Sequence, residues 1–174
     1  MSEKEIILGC LNNDIKSQKA LFDNYSNKMK SLCMRYVVNE QDAEDVLQEG
    51  FILAFTKLKD YKFDGSFEGW LRKIMINVSL RFLRSKKNIY IEDIDKAHTL
   101  YDKEQDIYAK LSNNDLMETI FQLPEGYRLV FNMYAIEGYS HKEIGTLLKI
   151  NESTSRSQLA KAKKRLRMLI MKLN

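Results

Sequence analysis

Apolar residues recur every three or four positions along most of the chain, the spacing that places them on one face of an α-helix. This pattern predicts a short helix over residues 3–12 and a longer one from about Ser17 to Val37. It is clearest between Asp42 and Leu58, where we expect Asp42 to cap the helix. The inward stripe of that helix comprises Ala43, Val46, Leu47, Gly50, Phe51, Ala54, Phe55 and Leu58.

Beyond this helix, the pattern predicts two further helices separated by a break near Ile76. Ser66, at the end of a loop over residues 61–66, is expected to cap the first, and the second ends in a basic cluster at residues 84–87. Residues 88–113 lack a regular period, and their only helical pattern spans residues 102–111. We therefore expect residues 88–113 to form a flexible linker.

Helical periodicity returns after the linker. Pro124 is predicted to be the first residue of a helix that Gly138 ends, because Pro suits a helix start and Gly a helix end. The apolar face of that helix comprises Leu129, Val130, Met133, Tyr134 and Ile136. With one Pro and seven Gly in 174 residues, the sequence predicts an all-α fold of two helical domains, residues 1–87 and 114–174, joined by the linker.

The strongest local motif lies near the carboxyl end of the sequence. Ser140 and Glu143 have the spacing of a capping box, in which each side chain satisfies the other's free backbone amide. Gly145 is small where two helices must cross, residues 149–151 are a tight turn, and Asn151 is expected to cap the next helix. This order of signals predicts a helix-turn-helix.

The second helix of this motif has an apolar and a polar side. We expect its inward face to comprise Leu159, Ala162, Leu166 and Ile170, and its outward face to comprise Ser153, Thr154, Arg156, Ser157, Gln158 and Lys161. Short polar residues at a helix start, followed by cations such as Lys164, suit base edges and phosphates. A generic basic hairpin is the alternative, but the joint occurrence of box, turn and charge favours DNA binding.

Charge is distributed unevenly along the chain, although the net charge is only +4. Residues 140–174 carry nine Lys and Arg against two Glu, and residues 62–87 carry seven against two acids. Between them, residues 92–118 carry eight acids against three Lys. Two basic modules are thus separated by an acidic stretch.

The sequence offers no constellation for catalysis, metal binding or a cofactor. Cys10 and Cys33 lack metal-ligand spacing and are expected to be buried thiols, and His98 and His141 are expected to be isolated from Asp, Ser or Cys partners. No apolar run reaches the length of a membrane span, and no signal peptide opens the sequence. We therefore expect a cytoplasmic protein that performs no covalent chemistry.

The outward side of the helix over residues 42–58 has two interpretations. It comprises Gln41, Asp45, Gln48, Glu49, Ile52 and Thr56. An acidic patch with an exposed isoleucine is typical of a partner surface, whereas periodicity alone favours an ordinary solvated face. The pattern does not decide between them.

Motifs in both halves resemble the sigma-70 family of transcription initiation factors. Residues 123–131 and 137–145 resemble its region 4, and residues 151–163 resemble the recognition helix of that region. Residues 42–51 resemble region 2.2, and residues 67–74 with Asn77 resemble regions 2.3 and 2.4. The order of the motifs and the short chain are similar to the extracytoplasmic-function group.

The resemblance implies three sets of site residues. Docking on the β′ clamp of core RNA polymerase is implied for Asp45, Gln48, Glu49 and Ile52. Contact with the melted −10 promoter element is implied for Trp70, Lys73, Asn77, Arg81 and Arg84. Contact with the double-stranded −35 element is implied for Ser153, Thr154, Arg156, Ser157, Gln158, Lys161 and Lys164.

The resemblance also implies further partners: the β flap of the polymerase, and an anti-sigma factor that holds the protein inactive. The acidic linker is similar to the family segment that passes through the active-site channel of the polymerase.

Three positions depart from the family pattern. Lys149 stands where the turn often has Gly, Ser155 stands where an apolar residue is usual, and Trp70 precedes Leu71 rather than pairing with a second Trp. The resemblance as a whole implies an alternative sigma factor, and the departures at Lys149 and Ser155 leave its −35 sequence preference open. A stand-alone helix-turn-helix regulator, with the first domain as a sensor or dimerisation module, is the alternative function.

Overall fold

The computed structural model describes residues 1–86 and 113–172 of the chain. The chain divides into two compact units, Met1–Asn88 and Ile89–Asn174. The described residues of both units are helical and contain no strand. The predicted linker lies, up to residue 112, outside the described residues, as does its 102–111 helical pattern.

The first unit packs four α-helices around one apolar core. They are α1 (Glu3–Leu11), α2 (Ile15–Val37), α3 (Glu40–Lys57) and α4 (Phe67–Lys86), with a short 3-10 turn at Leu58–Asp60 after α3. The core contains side chains from all four helices, and its largest fully buried members include Ile7, Tyr36, Phe67 and Met75. Both predictions for the cysteines are confirmed, because Cys10 and Cys33 are free and buried.

The start of α3 differs from the prediction. The cap is Asn39, whose side chain accepts a hydrogen bond from the backbone amide of Asp42 at 3.0 Å. Asp42 itself lies in the first turn, where its carboxylate faces the positive end of the helix dipole. It is 2.6 Å from the ammonium group of Lys86 on α4, so this residue joins two helices rather than capping one.

The predicted break near Ile76 is wrong, because α4 is one continuous helix of 20 residues. The apolar pattern becomes irregular there since this helix is buried on several sides: Ile76, Val78 and Leu80 are each at most 2% exposed. The cap prediction is confirmed, with the Ser66 hydroxyl accepting from the Gly69 amide at 3.1 Å. Because α4 is one helix and not two, its polar residues keep a single alignment along its whole length.

The second unit contains α5 (Asn113–Phe121), α6 (Glu125–Phe131), α7 (His141–Leu148) and α8 (Glu152–Met171), with a π-helical segment at Asn132–Ile136 after α6. Pro124 occupies the cap position before α6, one residue earlier than predicted, and Gly138 adopts a φ of 77° after the π segment. The predicted apolar face fails at Tyr134 and Ile136, which are 40% exposed. The wider π turn rotates these two side chains away from the core.

The helix-turn-helix prediction is confirmed in α7 and α8. The Ser140 hydroxyl accepts from the Glu143 amide, and the Glu143 carboxylate accepts from the Ser140 amide at 2.8 Å. Lys149 ends α7 in the left-handed conformation with a φ of 57°. Asn151 holds the cap position of α8, but its side chain makes no capping hydrogen bond, contrary to the prediction.

Gly145 is required by the backbone of the turn more than by the facing helix. A Cβ atom at this position would lie 2.8 Å from the carbonyl oxygen of Ile150, which cannot move without displacing the turn. The Ile150 amide also donates to the Gly145 carbonyl at 3.0 Å, so the two residues fix each other. The geometry of the helix-turn-helix therefore requires glycine, the residue without a Cβ atom, at position 145.

We expect the substitution Gly145→Ala to destabilise the second unit by about 1–3 kcal/mol, because the added methyl group overpacks against fixed backbone. Native-state hydrogen exchange of the α7 and α8 amides measures this effect. The control is Thr146→Ala, which changes an exposed side chain in the same turn. Equal amide protection in Gly145→Ala and wild type would contradict the close-approach argument.

Among the described residues, no helix is both long enough and apolar enough to cross a membrane.

Candidate nucleic-acid interface

A compact acidic and apolar surface lies on the outer side of α3. We define the α3 face as Asp45, Gln48, Glu49 and Ile52, all of which are exposed. An α-helix turns by about 100° per residue, so these four positions lie within an arc of about 100°. Ile52 is 65% exposed, which is high for a large apolar side chain on a helix whose other apolar residues pack inward.

Five polar or amphipathic residues form a second surface along α4. We define the α4 stripe as Trp70, Lys73, Asn77, Arg81 and Arg84. Because α4 is continuous, they lie within an arc of about 80° and extend for about 21 Å along the helix axis. Lys73, Asn77, Arg81 and Arg84 are exposed, whereas Trp70 is half-buried. The sequence predicted these residues but not their alignment.

The half-buried Trp70 belongs to an aromatic cluster. Its ring centroid is 5.5 Å from those of Tyr61 and Phe67, so most of its surface contributes to packing. Phe63, which sequence analysis did not single out, is 43% exposed and lies 4.9 Å from Tyr61. It holds a φ of 58° in the loop before α4, and the Tyr61 hydroxyl donates to the Gly65 carbonyl at 2.9 Å.

A positive φ is uncommon for a residue with a Cβ and is often found at functional sites. The loop therefore presents one exposed aromatic ring at the end of the α4 stripe where Trp70 lies. Its signal in the sequence was weak, since Phe63 is one of eight phenylalanines and does not lie in a periodic segment.

Ion pairs join the two helices that carry the α3 face and the α4 stripe. The guanidinium group of Arg81 is 2.5 Å from the carboxylate of Glu49, and Lys86 and Asp42 form a second pair between the same helices. Both members of the Arg81–Glu49 pair are more than half exposed, so solvent screens it and it contributes little to stability. The pair shows instead that the α3 face and the α4 stripe meet at Glu49 and Arg81.

The third surface lies on the recognition helix α8. We define the α8 stripe as Ser153, Arg156, Ser157, Lys161 and Lys164. Ser153, Arg156 and Lys164 are exposed, and Ser157 and Lys161 are partly exposed. They lie opposite the buried side of the helix, where Ala162 and Leu166 are completely covered, as the sequence predicted for the inward face.

The predicted outward positions of Thr154 and Gln158 are wrong. Each side chain is 6% exposed in the structure. Four helical positions separate Gln158 from the core residue Ala162, so the two differ by only about 40° around the helix. Thr154, one turn before Gln158, lies on the same inner flank. The sequence prediction assigned polar residues to the surface because of their chemical type. The arc that it covered is wider than the arc that packing leaves exposed.

Charge near the start of α8 is partly compensated. The guanidinium group of Arg156 is 2.5 Å from the carboxylate of Glu152, four residues earlier, and half of the Arg156 side chain is exposed. The Ser157 hydroxyl donates to the Thr154 carbonyl at 3.0 Å, a local bond that leaves its oxygen able to accept. Arg156 can therefore exchange a solvated carboxylate for a phosphate at small cost.

The expected isolation of His141 is also wrong. Its imidazole stacks on the Tyr134 ring with centroids 4.5 Å apart and planes 18° from parallel. Its Nδ1 atom is 2.9 Å from the hydroxyl of Ser155, which is completely buried. Burial lowers the pKa of His141, and nearby Arg156 and Lys163 lower it further against an opposing effect of Glu152. Sequence distance hid this contact, since 14 residues separate the two partners.

The two halves of the chain match known protein families. Residues 21–89 match the family described as sigma-70 region 2, and residues 113–166 match the family described as sigma-70, region 4. The ECF RNA polymerase sigma factor SigW of Bacillus subtilis (strain 168) is 29% identical over 159 residues, which cover 84% of this chain and 85% of SigW.

Two further proteins are similar over most of their length. The RNA polymerase sigma-H factor of Pseudomonas aeruginosa is 30% identical over 164 residues, covering 85% of each chain. The sigma factor RpoE of Bartonella quintana, solved in complex with the anti-sigma factor NepR, shares the fold with a TM-score of 0.55. That likeness covers 92% of this chain and 99% of RpoE at 17% sequence identity.

Both family matches follow the order of the two units, and the relatives are similar across both. The chain therefore belongs to the extracytoplasmic-function group of the sigma-70 family of RNA polymerase sigma factors.

Proposed function

We propose that this protein is an alternative sigma factor that binds core RNA polymerase, positions it at promoters and helps to melt the DNA. One observation supports this most directly. Each unit exposes a separate polar and cationic stripe, and the first unit also exposes an acidic face beside its stripe. The protein performs no covalent chemistry, and it acts in the cytoplasm, where chromosomal DNA and polymerase are found.

The α3 face is the proposed docking surface for the β′ clamp. Ile52 supplies an apolar anchor, and Asp45 and Glu49 supply negative charge around it. Interfaces of this kind combine a desolvated apolar centre with a charged rim that guides association. Ile52 is 65% exposed and is bordered by Asp45, Gln48 and Glu49, and this combination of apolar and acidic groups supports a partner surface.

The α4 stripe, with the loop before it, is the proposed −10 surface. Lys73, Arg81 and Arg84 are suited to phosphates, and the amide of Asn77 can both donate to and accept from a base edge. Extruding a base from the duplex costs a few kcal/mol of stacking and pairing. Stacking on an aromatic ring returns about 1–3 kcal/mol per base, and exposed Phe63 is positioned to provide it.

The α8 stripe is the proposed −35 surface. Ser153 and Arg156 lie in the first turns of the recognition helix, the part that reaches base edges when such a helix enters the major groove. Lys161 and Lys164 follow along the same side, so they can neutralise phosphates and make the binding salt-dependent. Thr154 and Gln158 support the helix from within, because both are buried.

A protein partner that keeps the chain inactive is also proposed. The relative RpoE was solved with an anti-sigma factor, and a partner of that kind would compete with polymerase if it covered the α3 face. The β flap of the polymerase is the second proposed contact of the core enzyme, through the second unit.

The rival function is a stand-alone helix-turn-helix regulator that binds operator DNA as a dimer. It accounts for the α8 stripe but gives no role to the α4 stripe or to the acidic α3 face beside it. A sigma factor uses all three surfaces at once. The sigma function is therefore the one that the described surfaces support best.

Run-off transcription with purified core polymerase and a pool of genomic promoter fragments tests the proposal. We expect promoter-dependent transcripts only when the protein is present, and DNA sequencing of the templates gives the promoter. If no template yields a transcript while the protein alone binds operator DNA tightly as a dimer, the regulator function is correct instead.

A substitution in the α3 face tests the docking surface separately. We expect Glu49→Lys to lower the affinity for core polymerase by about ten-fold or more, because it reverses a charge at the proposed interface. Its affinity for −35 duplex DNA, measured with the full chain by fluorescence anisotropy, should not change.

The matched control is Asp23→Lys. Asp23 also loses a salt bridge, to Lys19, and its side chain is 56% exposed on a different helix, α2. Unchanged core affinity in Glu49→Lys, or an equal loss in both variants, removes Glu49 from the docking surface.

A further inference from the structure

Three segments of the second unit meet at the imidazole ring of His141. Tyr134 from the π-helical segment stacks on one face of the ring at 4.5 Å. His141 is the first residue of α7, and its Nδ1 atom reaches the Ser155 hydroxyl in α8 at 2.9 Å. A hydrogen bond therefore joins the first residue of α7 to the fourth residue of α8, across the two helices of the helix-turn-helix.

This hydrogen bond is directional and is made inside the domain. Ser155 is 0% exposed, so its hydroxyl would lose water without compensation if the imidazole were absent. An apolar side chain at this position would pack without a preferred angle. The polar pair instead limits both the rotation of α8 about its axis and its shift along that axis.

The first turns of α8 carry the residues that face outward. Ser153 precedes Ser155 by two positions and Arg156 follows it by one, so any rotation at Ser155 moves both of them. Contacts with base edges depend on geometry at the level of hydrogen bonds, whereas contacts with phosphates tolerate larger shifts. Loss of the hydrogen bond that fixes Ser155 should therefore weaken recognition of the base sequence more than it weakens general affinity for DNA.

We propose that His141 is a positioning residue for promoter recognition: clamped on Tyr134, it holds Ser155 and thereby sets the angle at which α8 presents Ser153 and Arg156 to DNA. This inference rests on the proposed −35 function of α8. It assigns to His141 a role in specificity without contact between its ring and a base.

The surroundings of the ring add a dependence on pH. Glu152, Arg156 and Lys163 of α8 act on it electrostatically, Tyr134 stacks on it, and Lys142 and Glu143 follow it in sequence. Burial, Arg156 and Lys163 keep the pKa of His141 below its ordinary value in the free protein. DNA phosphates that pair with Arg156 would offset the cationic surroundings, so binding raises this pKa.

Binding should then take up protons. Because the pKa of His141 is higher in the complex than in the free protein, the gain in affinity is complete when the pH lies below the pKa in the free protein. The gain is lost as the pH rises through the pKa of His141 in the complex. Wild-type affinity should therefore increase by a few-fold more than that of a variant without His141 when pH falls from about 7.5 to about 5.5.

The test uses the full chain and the promoter recovered by run-off transcription. The probes are a duplex with the upstream promoter element and the same duplex with that element shuffled, and the ratio of the two affinities measures specificity. The variants are His141→Phe, Ser155→Ala and the double substitution, all assayed at a temperature where circular dichroism finds them folded. The control is Thr146→Val, which removes a hydroxyl of α7 whose hydrogen bond stays within that helix.

We expect each single variant to lower the specificity ratio by about three- to ten-fold, with the shuffled duplex bound as before. The specificity ratio of the double variant should be no lower than that of the more impaired single variant. His141→Phe should also lose the additional increase in affinity at low pH. A role in stability alone would lower the melting temperature and leave both the ratio and the pH profile unchanged.

Two outcomes overturn the inference. If the wild type distinguishes the two duplexes and His141→Phe does so equally well, His141 has no positioning role, while the proposed function stands. If the wild type itself fails to distinguish them, α8 does not read the promoter, and the proposed −35 function fails together with the inference.

Discussion

Packing against neighbouring helices covers one side of α3, α4 and α8, and the arc that remains exposed determines where function can lie. In α4 the five residues of the stripe lie within an arc of about 80°, and core residues such as Ile76 and Leu80 occupy much of the remaining circumference. A helix buried to this extent cannot scatter functional side chains around its surface. It arranges them in a stripe, which suits an extended ligand such as a nucleic-acid strand.

The same constraint explains which predictions from sequence succeeded. Periodicity found the amphipathic helices, the capping box at Ser140 and the inward face of α8, since each depends on residues close together in sequence. It failed where burial was not one-sided. The apolar residues around Ile76 face several neighbours, so their irregular spacing resembled a break in α4.

Polar residues inside the domain were the second source of error. Thr154 and Gln158 were assigned to the surface by chemical type, although helix geometry places them beside the core. The contact between His141 and Ser155 joins positions 14 residues apart and has no local signature. Local rules therefore predicted the helices and the position of the α8 stripe, whereas the support of that stripe required tertiary structure.

The three surfaces differ in what they can recognise, and together they describe one task. The α3 face is acidic and apolar, which suits a protein partner, and both stripes are cationic or polar, which suits DNA. The ion pair between Glu49 and Arg81 places the α3 face directly beside the α4 stripe. In the proposed function, polymerase and DNA bind neighbouring sides of the first unit, and the second unit contacts a separate DNA element.

Site-specific photocrosslinking in the complex of this protein with core polymerase and promoter DNA tests that division of labour most directly. A photoreactive amino acid replaces Asn77 in the α4 stripe, Ser153 in the α8 stripe, or Asp23 on α2 as the control. The account predicts crosslinks from position 77 to a melted −10 strand, crosslinks from position 153 to upstream duplex DNA, and none from position 23. Crosslinks from positions 77 and 153 to the same duplex segment, or none from position 77, would contradict it.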